Sequence, residues 1–279
     1  MAEVVAILGG RGMLGTDLSA ACTERGYDVR VYDLPDFDIT KVDCCEQAVS
    51  EADVIVNCAA YTNVDGAESH AELAHRVNAE AVGQLGDAVK RKGTWLLHFS
   101  TDFVFDGRLD RPYVETDAPN PINEYGRSKL AGERLLEASG CRHCIVRLEW
   151  TYGRHGQNFM TKLVDRARAA GPLRVVDDQV GSPTATTEVA RAACDLAAGR
   201  AEGLFHFAAA GYVSRYGIAK LVLDRLRLDV ELAPCRTSDF SAPAARPLNS
   251  RFDCRKIEPL LSAPIAPWQE PLERFLREL

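Results

Sequence analysis

A tyrosine and a lysine four residues apart, Tyr125-Gly-Arg-Ser-Lys129, stand at the start of a helix-favouring stretch. On a helix, i and i+4 side chains share one face, about one turn apart. Such a pair suits the protonation of an alkoxide formed when hydride adds to a ketone. A free tyrosine, with a pKa of about 10, is a sluggish acid at neutral pH. An ammonium about 4 Å away stabilises the tyrosinate by roughly 4 kcal/mol at an effective dielectric near 20. That is about three pKa units before the opposing cost of burial. Ser100 and Thr101 close an apolar run upstream, and either hydroxyl can hold a carbonyl oxygen. Tyr-x-x-x-Lys alone is weak, because it occurs by chance in many helices. It gains weight from what precedes it.

Gly9-Gly10-Arg11-Gly12-Met13-Leu14-Gly15 follows the first apolar run and leads into a helical pattern. Glycines at 9, 12 and 15 allow a tight turn, close approach of main chain to a pyrophosphate, and tight helix–strand packing. The helix start then offers unpaired N–H groups and partial positive charge to phosphates. The chemistry is that of a dinucleotide site, with Met13 and Leu14 in its first turn. Asp33 comes roughly 20 residues beyond that turn, where an acid hydrogen-bonds adenosine ribose hydroxyls. A 2′-phosphate would meet like charge there, which favours NADH. Arg11 inside the turn and nearby Arg30 argue the other way, since either can pair with the 2′-phosphate of NADPH.

These residues need a parallel scaffold to bring them together. Val4–Leu8, Asp28–Tyr32, Val54–Cys58, Trp95–Phe99 and His143–Leu148 read as strands, several of them continuously apolar. Helical patterns at Met13–Arg25, Ala67–Lys92 and Tyr125–Ala138 separate them. The alternation predicts an α/β, Rossmann-type doubly wound parallel sheet covered on both faces. Past Trp150, helices at Gln157–Ala169 and Thr187–Ala198 and strands at Leu173–Val176 and Leu204–Ala208 are expected to extend the sheet. Segments around Asp178–Thr184, Ser214–Leu226 and Ala233–Ser250 are expected to form a smaller interleaved substrate-binding cap, with a terminal helix in Ala266–Leu279. Residues 1–150 are thus the dinucleotide-binding part, and 151–279 complete the sheet and form the cap.

The 279 residues carry 33 Lys+Arg against 40 Asp+Glu, a net charge of −7, with no basic block. That balance disfavours nucleic acid and anionic membranes as partners. No stretch reaches the ~20 apolar residues of a membrane span, and the N-terminus lacks the basic region of a signal peptide. The nine cysteines are odd in number and scattered, as expected of reduced cytoplasmic thiols. Cys141-Arg-His-Cys144 lacks the second pair a zinc site requires.

Together the motifs resemble those of the extended short-chain dehydrogenase/reductases, and within them the dTDP-4-dehydrorhamnose reductase branch. The matching segments are GGRGMLG, NCAAYTNVDGAE, VNAEA, STDFVFDG, YGRSK, RLEWTYG, DQVGSPT and RPLNSRFD, running from Gly9 through Asp253. DQVGSPT and RPLNS are the more specific. The resemblance implies NAD(P)H-dependent reduction of the C4 keto group of a dTDP-linked sugar. It makes Tyr125 the proton donor, Lys129 its activator and ribose ligand, and Thr101 the group that orients the carbonyl. Ala59, Ala60 and Tyr61 would line the cofactor, Asp38 and Ile39 would lie near its adenine, and Asn78 would support Lys129. Ser100, Trp150, Asn158, Gln179, Arg246 and Asn249 would contact the sugar or diphosphate. The motifs leave open which keto sugar is used, whether Mg2+ assists, and whether the chain forms a homodimer.

Two alternatives stand beside this reading. Sugar-nucleotide 4,6-dehydratases share the turn and the Tyr/Lys pair but carry Thr-Asp-Glu after the fourth strand. Here the third residue is Phe103, which cannot remove a ring proton. A non-catalytic regulatory subunit, like that of methionine adenosyltransferase, resembles the same branch and acts by binding a partner. The sugar-site residues and the compact chain favour the enzyme.

Overall fold

The computed structural model of the chain describes residues 2–169 and 171–279. β1 (Val4–Leu8), α1 (Met13–Glu24), β2 (Asp28–Tyr32), α2 (Val42–Ser50) and β3 (Val54–Asn57) open the fold. Two short helices, α3 (Val64–Ser69) and α4 (Ala71–His75), pass through a π-helical turn at Arg76–Glu80 into α5 (Ala81–Lys92) and β4 (Trp95–Thr101). Next come α6 (Glu124–Ser139), β5 (Arg142–Leu148), β6 (Thr151–Tyr152), α7 (Phe159–Arg168) and β7 (Leu173–Val176). β8 (Val180–Gly181), β9 (Thr184–Ala185), α8 (Thr186–Gly199), β10 (Gly203–Phe207) and β11 (Val213–Ser214) follow. α9 (Arg215–Leu226), β12 (Leu232–Cys235) and α10 (Gln269–Leu276) complete the order.

Six strands form one parallel sheet in the order β10-β5-β4-β3-β1-β2. Alternation along each strand divides its side chains between two cores. Val5 and Ile7 join Leu18 and Cys22 of α1 and Val189 and Leu196 of α8. Ala6 and Leu8 join Ala48 of α2, Leu85 of α5 and Leu136 of α6 on the other face. Cys141 and Cys144 fall into opposite cores, so the C-x-x-C spacing brings no two thiols to one site. A third core gathers Met160 and Leu163 of α7, Leu173 of β7, Ile218 and Val222 of α9, and Leu272 and Phe275 of α10.

The structure differs from the sequence-based expectation in three places. Leu173–Val176 does not extend the large sheet; it pairs with β12 beside the third core, into which Leu173 packs together with α7 and α9. The single helix expected over Ala67–Lys92 is broken at His70 and wound as a π turn around Asn78. The short helix α2 was not anticipated; it buries only Cys45, Ala48 and Val49. β10 does extend the sheet, beside β5.

The chain passes from β1 to β2 on one side and then crosses to β3 on the other. The carboxyl ends of β1 and β3 therefore diverge into the crevice where such sheets take ligands. α6 reaches that crevice by close approach. A methyl on Gly132 would lie 2.0 Å from the Asn78 carbonyl oxygen. Gly132→Ala is expected to destabilise the protein by about 1–3 kcal/mol through overpacking, read as a lower urea midpoint.

Candidate active site

A cleft of about 680 Å³ lies over the carboxyl ends of the sheet. Gly9, Gly12, Met13, Leu14, Gly15, Asp33, Asp38, Ile39, Ala59 and Ala60 line one part of it. Ser100, Thr101, Tyr125, Lys129 and Trp150 line the other. The turn at one end is built as a phosphate cradle requires. Gly12 N–H donates to the Gly9 carbonyl at 3.1 Å, and α1 starts with no side-chain cap and no acid in its first turn. Its first N–H groups therefore stay available to an anion. Gly9 has φ +74°, and a Cβ there would meet Ala59 N at 2.6 Å, so only glycine fits between β1 and β3.

Asp33 ties this turn to the end of β2. Its carboxylate accepts the Arg11 and Leu34 backbone N–H groups, each at 2.8 Å. The Arg11 guanidinium lies outside the cleft lining, donating to the Leu34 carbonyl at 3.1 Å and facing Asp36 at 3.5 Å. Arg30 pairs with Glu51 at 3.0 Å.

At the other end, α6 begins with Asn123, whose side chain accepts Gly126 N–H at 2.7 Å and donates to the Ala245 carbonyl at 2.8 Å. Tyr125 sits in the first turn with its ring edge-on to Phe103, centroids 5.6 Å apart. Burial pushes its phenol up to about 12, opposed by hydrogen bonding to Thr101. Burial brings Lys129 down to about 8, opposed by the Glu133 carboxylate. Lys129 Nζ donates to the Phe99 carbonyl at 2.7 Å. Thr101 Oγ1 donates to Asp102 Oδ1 at 3.0 Å and accepts Phe103 N–H at 3.2 Å. Ser100 Oγ is buried without a partner among the described residues, at the edge of the cleft.

Asn78 and Tyr61 stand behind the lining. Asn78 accepts Tyr61 N–H at 2.8 Å and donates to the Tyr61 carbonyl and Ser128 Oγ, each at 3.0 Å. It joins the end of β3 to α6 beside Lys129.

Four residues expected at the substrate do not line the cleft. Asn158 caps α7, accepting Met160 and Thr161 N–H and donating to the Gly153 carbonyl. Asn249 donates to the Leu109 and Arg111 carbonyls at 2.7 and 2.8 Å. Gln179 donates to Thr237 Oγ1 at 3.1 Å, and Arg246 pairs with Asp65 at 2.9 Å. Each makes at least one side-chain hydrogen bond within the fold.

The cleft also contains a guanidinium that the motifs did not single out. Arg215, at the first position of α9, stacks 3.7 Å over the Trp150 ring and 4.8 Å from the Phe159 ring. Its side chain makes no hydrogen bond or ion pair among the described residues. Trp150 adopts φ +43°, a left-handed conformation rare for a bulky side chain. Asp102 and Glu149 are buried nearby, and burial raises both carboxyls above the usual range. Arg215 was hidden because its role depends on packing against Trp150, with no spacing rule to mark it. No group of three or more His, Cys, Asp or Glu side chains converges as a metal cage among the described residues, so nothing here supports Mg2+.

Comparison with known proteins places the chain. The model of the RmlD substrate binding domain matches residues 3–279. The chain is 37% identical to a dTDP-4-dehydrorhamnose reductase of Mycobacterium tuberculosis, over 98% of this chain and 92% of the relative. It is 34% identical to that of Escherichia coli K12, over 99% and 97%. The crystal structure of the Bacillus anthracis dTDP-4-dehydrorhamnose reductase, in complex with NADP, superposes with a TM-score of 0.95 at 34% identity, covering 100% of both chains. On this match, which spans the sheet, the cleft and the third core alike, the chain belongs to the RmlD substrate binding domain family.

Proposed function

We propose that the protein reduces the C4 keto group of dTDP-4-dehydro-L-rhamnose with NAD(P)H, yielding dTDP-L-rhamnose. The observation that carries this reading is the convergence of Thr101, Tyr125 and Lys129 in the same cleft as the Gly9–Gly15 turn. The relatives named for this reaction, and the NADP held by the Bacillus anthracis protein, support it. We assign the reaction to the cytoplasm, in keeping with nine unpaired cysteines.

The glycine turn and the uncapped start of α1 hold the pyrophosphate, Asp33 faces the adenosine ribose, and Asp38 and Ile39 border the adenine. When bound, the reduced nicotinamide supplies the hydride. The Ser100 hydroxyl, which has no partner among the described residues, holds the C4 carbonyl oxygen, joined by that of Thr101 once it turns from Asp102 to the substrate, and Tyr125 gives that oxygen its proton. Lys129, as an ammonium, stabilises the tyrosinate left behind. Trp150 walls the sugar, and the Arg215 fork, held flat by two rings, takes the diphosphate. We propose residues 1–150 as the dinucleotide-binding part and the lobe around the third core as the sugar-nucleotide part.

The decisive assay follows NADH and NADPH oxidation with dTDP-4-dehydro-L-rhamnose and with another nucleotide 4-keto sugar. Absence of turnover, together with a stoichiometric synthetase partner in a pull-down, would favour the regulatory-subunit alternative. Tyr125→Phe is expected to bind cofactor normally, by fluorescence titration, while kcat falls by roughly 10²–10⁴-fold. Arg215→Ala should raise KM for the sugar nucleotide by about 10–100-fold, about 1.4–2.7 kcal/mol of lost binding, with cofactor affinity unchanged. Asp33→Ser should shift the NADPH/NADH ratio of kcat/KM toward NADPH by about tenfold. Because the ammonium form of Lys129 is needed and its pKa is lowered to about 8, kcat should fall as pH rises through that region. A kcat profile that stays flat to pH 10 would remove Lys129 from this role.

A further inference from the structure

Lys129 is 2% exposed, and His98 and Asn57, each 1% exposed, lie in line behind it. Neither lines the cleft itself, and the reaction as described does not use them. Their protons can be assigned by counting donors and acceptors. Asn57 Oδ1 lies 3.0 Å from the Ala59 backbone N–H, which can only donate. The Asn57 amide nitrogen therefore faces His98 Nδ1, at 3.1 Å, and donates to it. His98 Nδ1 must offer its lone pair, so the ring proton of the neutral imidazole sits on Nε2. That N–H points at Lys129 Nζ, 3.3 Å away. A neutral amine has a lone pair to receive it, whereas an ammonium has only donors.

We propose that His98, fixed by Asn57 as the Nε2–H tautomer, is a positioning residue for the reaction: it adds to burial in favouring the amine form of Lys129 over the ammonium and so lowers the upper pH limit of turnover. The inference rests on the reading of Lys129 as the charge partner of Tyr125. The other groups around the pair do not duplicate it. Glu133, one turn further along α6, favours the ammonium, but Arg147 on β5 occupies both its oxygens, at 2.9 and 2.6 Å. Cys58, past the end of β3, is kept a neutral thiol by burial where it faces Lys129, with Asp33 adding to that from the β2 side. His143 of β5 acts on His98 at longer range, and burial together with Lys129 keeps His98 neutral. Among the described residues only His98 aims a hydrogen at Nζ. A lysine poised near neutrality lends charge to Tyr125 in one protonation state and accepts a proton in the other.

15N NMR of the cofactor-free protein tests the tautomer directly and needs no substrate. His98 should show a protonated Nε2 and an unprotonated Nδ1 throughout pH 6–9. A proton on Nδ1, or an imidazolium, would overturn the proposal. In parallel, His98→Leu should move the alkaline limb of kcat upward by about one pH unit, whereas His98→Gln, which returns an amide N–H to the Nε2 position, should keep the limb near its original pH. A merely structural role would lower kcat at every pH and leave the limb in place in both variants, which also overturns it. Should His98→Leu fail to fold, the wild-type NMR decides alone. Wild-type inactivity toward the keto sugar would sink the substrate reading while leaving the NMR outcome interpretable.

Discussion

The approach of α6 to the backbone beneath it governs the geometry of the site. A Cβ at Gly126 would lie 2.1 Å from the Phe103 carbonyl oxygen, and one at Gly132 would lie 2.0 Å from that of Asn78. Two contacts without side chains thus press the helix against the end of β4 and the π turn. Tyr125 and Lys129 ride on the pressed face, and Ser128 between them reaches Asn78. The same approach lets Lys129 touch the Phe99 carbonyl across the sheet edge. Were α6 held off by one methyl diameter, each of these contacts would open beyond hydrogen-bonding distance.

The chain accepts a high density of buried polar groups around that helix. Arg147 and Glu133 form a buried, bidentate ion pair at 2% and 4% side-chain exposure. Such a pair is weak evidence for stability, because desolvation cancels much of the attraction. Its effect on the site is to hold the Glu133 charge at a fixed distance behind Lys129. Asp102 is treated in the same way: Ser250 donates to one oxygen at 2.5 Å and Thr101 to the other. The hydroxyl that faces the cleft is thereby oriented by a carboxylate that is itself held. The polar cluster stabilises a geometry more than it stabilises the fold.

Much of this was legible in the residues. A continuous apolar run marked β1 to its ends, since a strand covered on both faces leaves no polar alternation to blur the limits, whereas β2 (Asp-Val-Arg-Val-Tyr), at the sheet edge, was marked by alternation instead. The glycine turn and the Tyr125–Lys129 spacing were readable because their chemistry depends on local sequence. Contacts between distant segments were not. His98 lies 31 residues from Lys129, and only β4–α6 packing joins them. Arg215 acquires its setting from Trp150 and Phe159 on separate elements. Asn158 and Asn249 carried a substrate role by resemblance alone. Here their side chains are taken up by a helix cap and by loop carbonyls, a choice that sequence spacing does not encode.

The left-handed backbone at Trp150 places stability and recognition in opposition at a single residue. A non-glycine side chain in that region costs about 1–3 kcal/mol. Glycine would remove the strain, yet it would also delete the ring on which Arg215 lies and open one wall of the cleft. Variants chosen only for thermal endurance would drift toward glycine here and lose the sugar side of the site. Under selection for turnover, the bulky residue stays, and the rest of the fold must supply the stability that this position withholds.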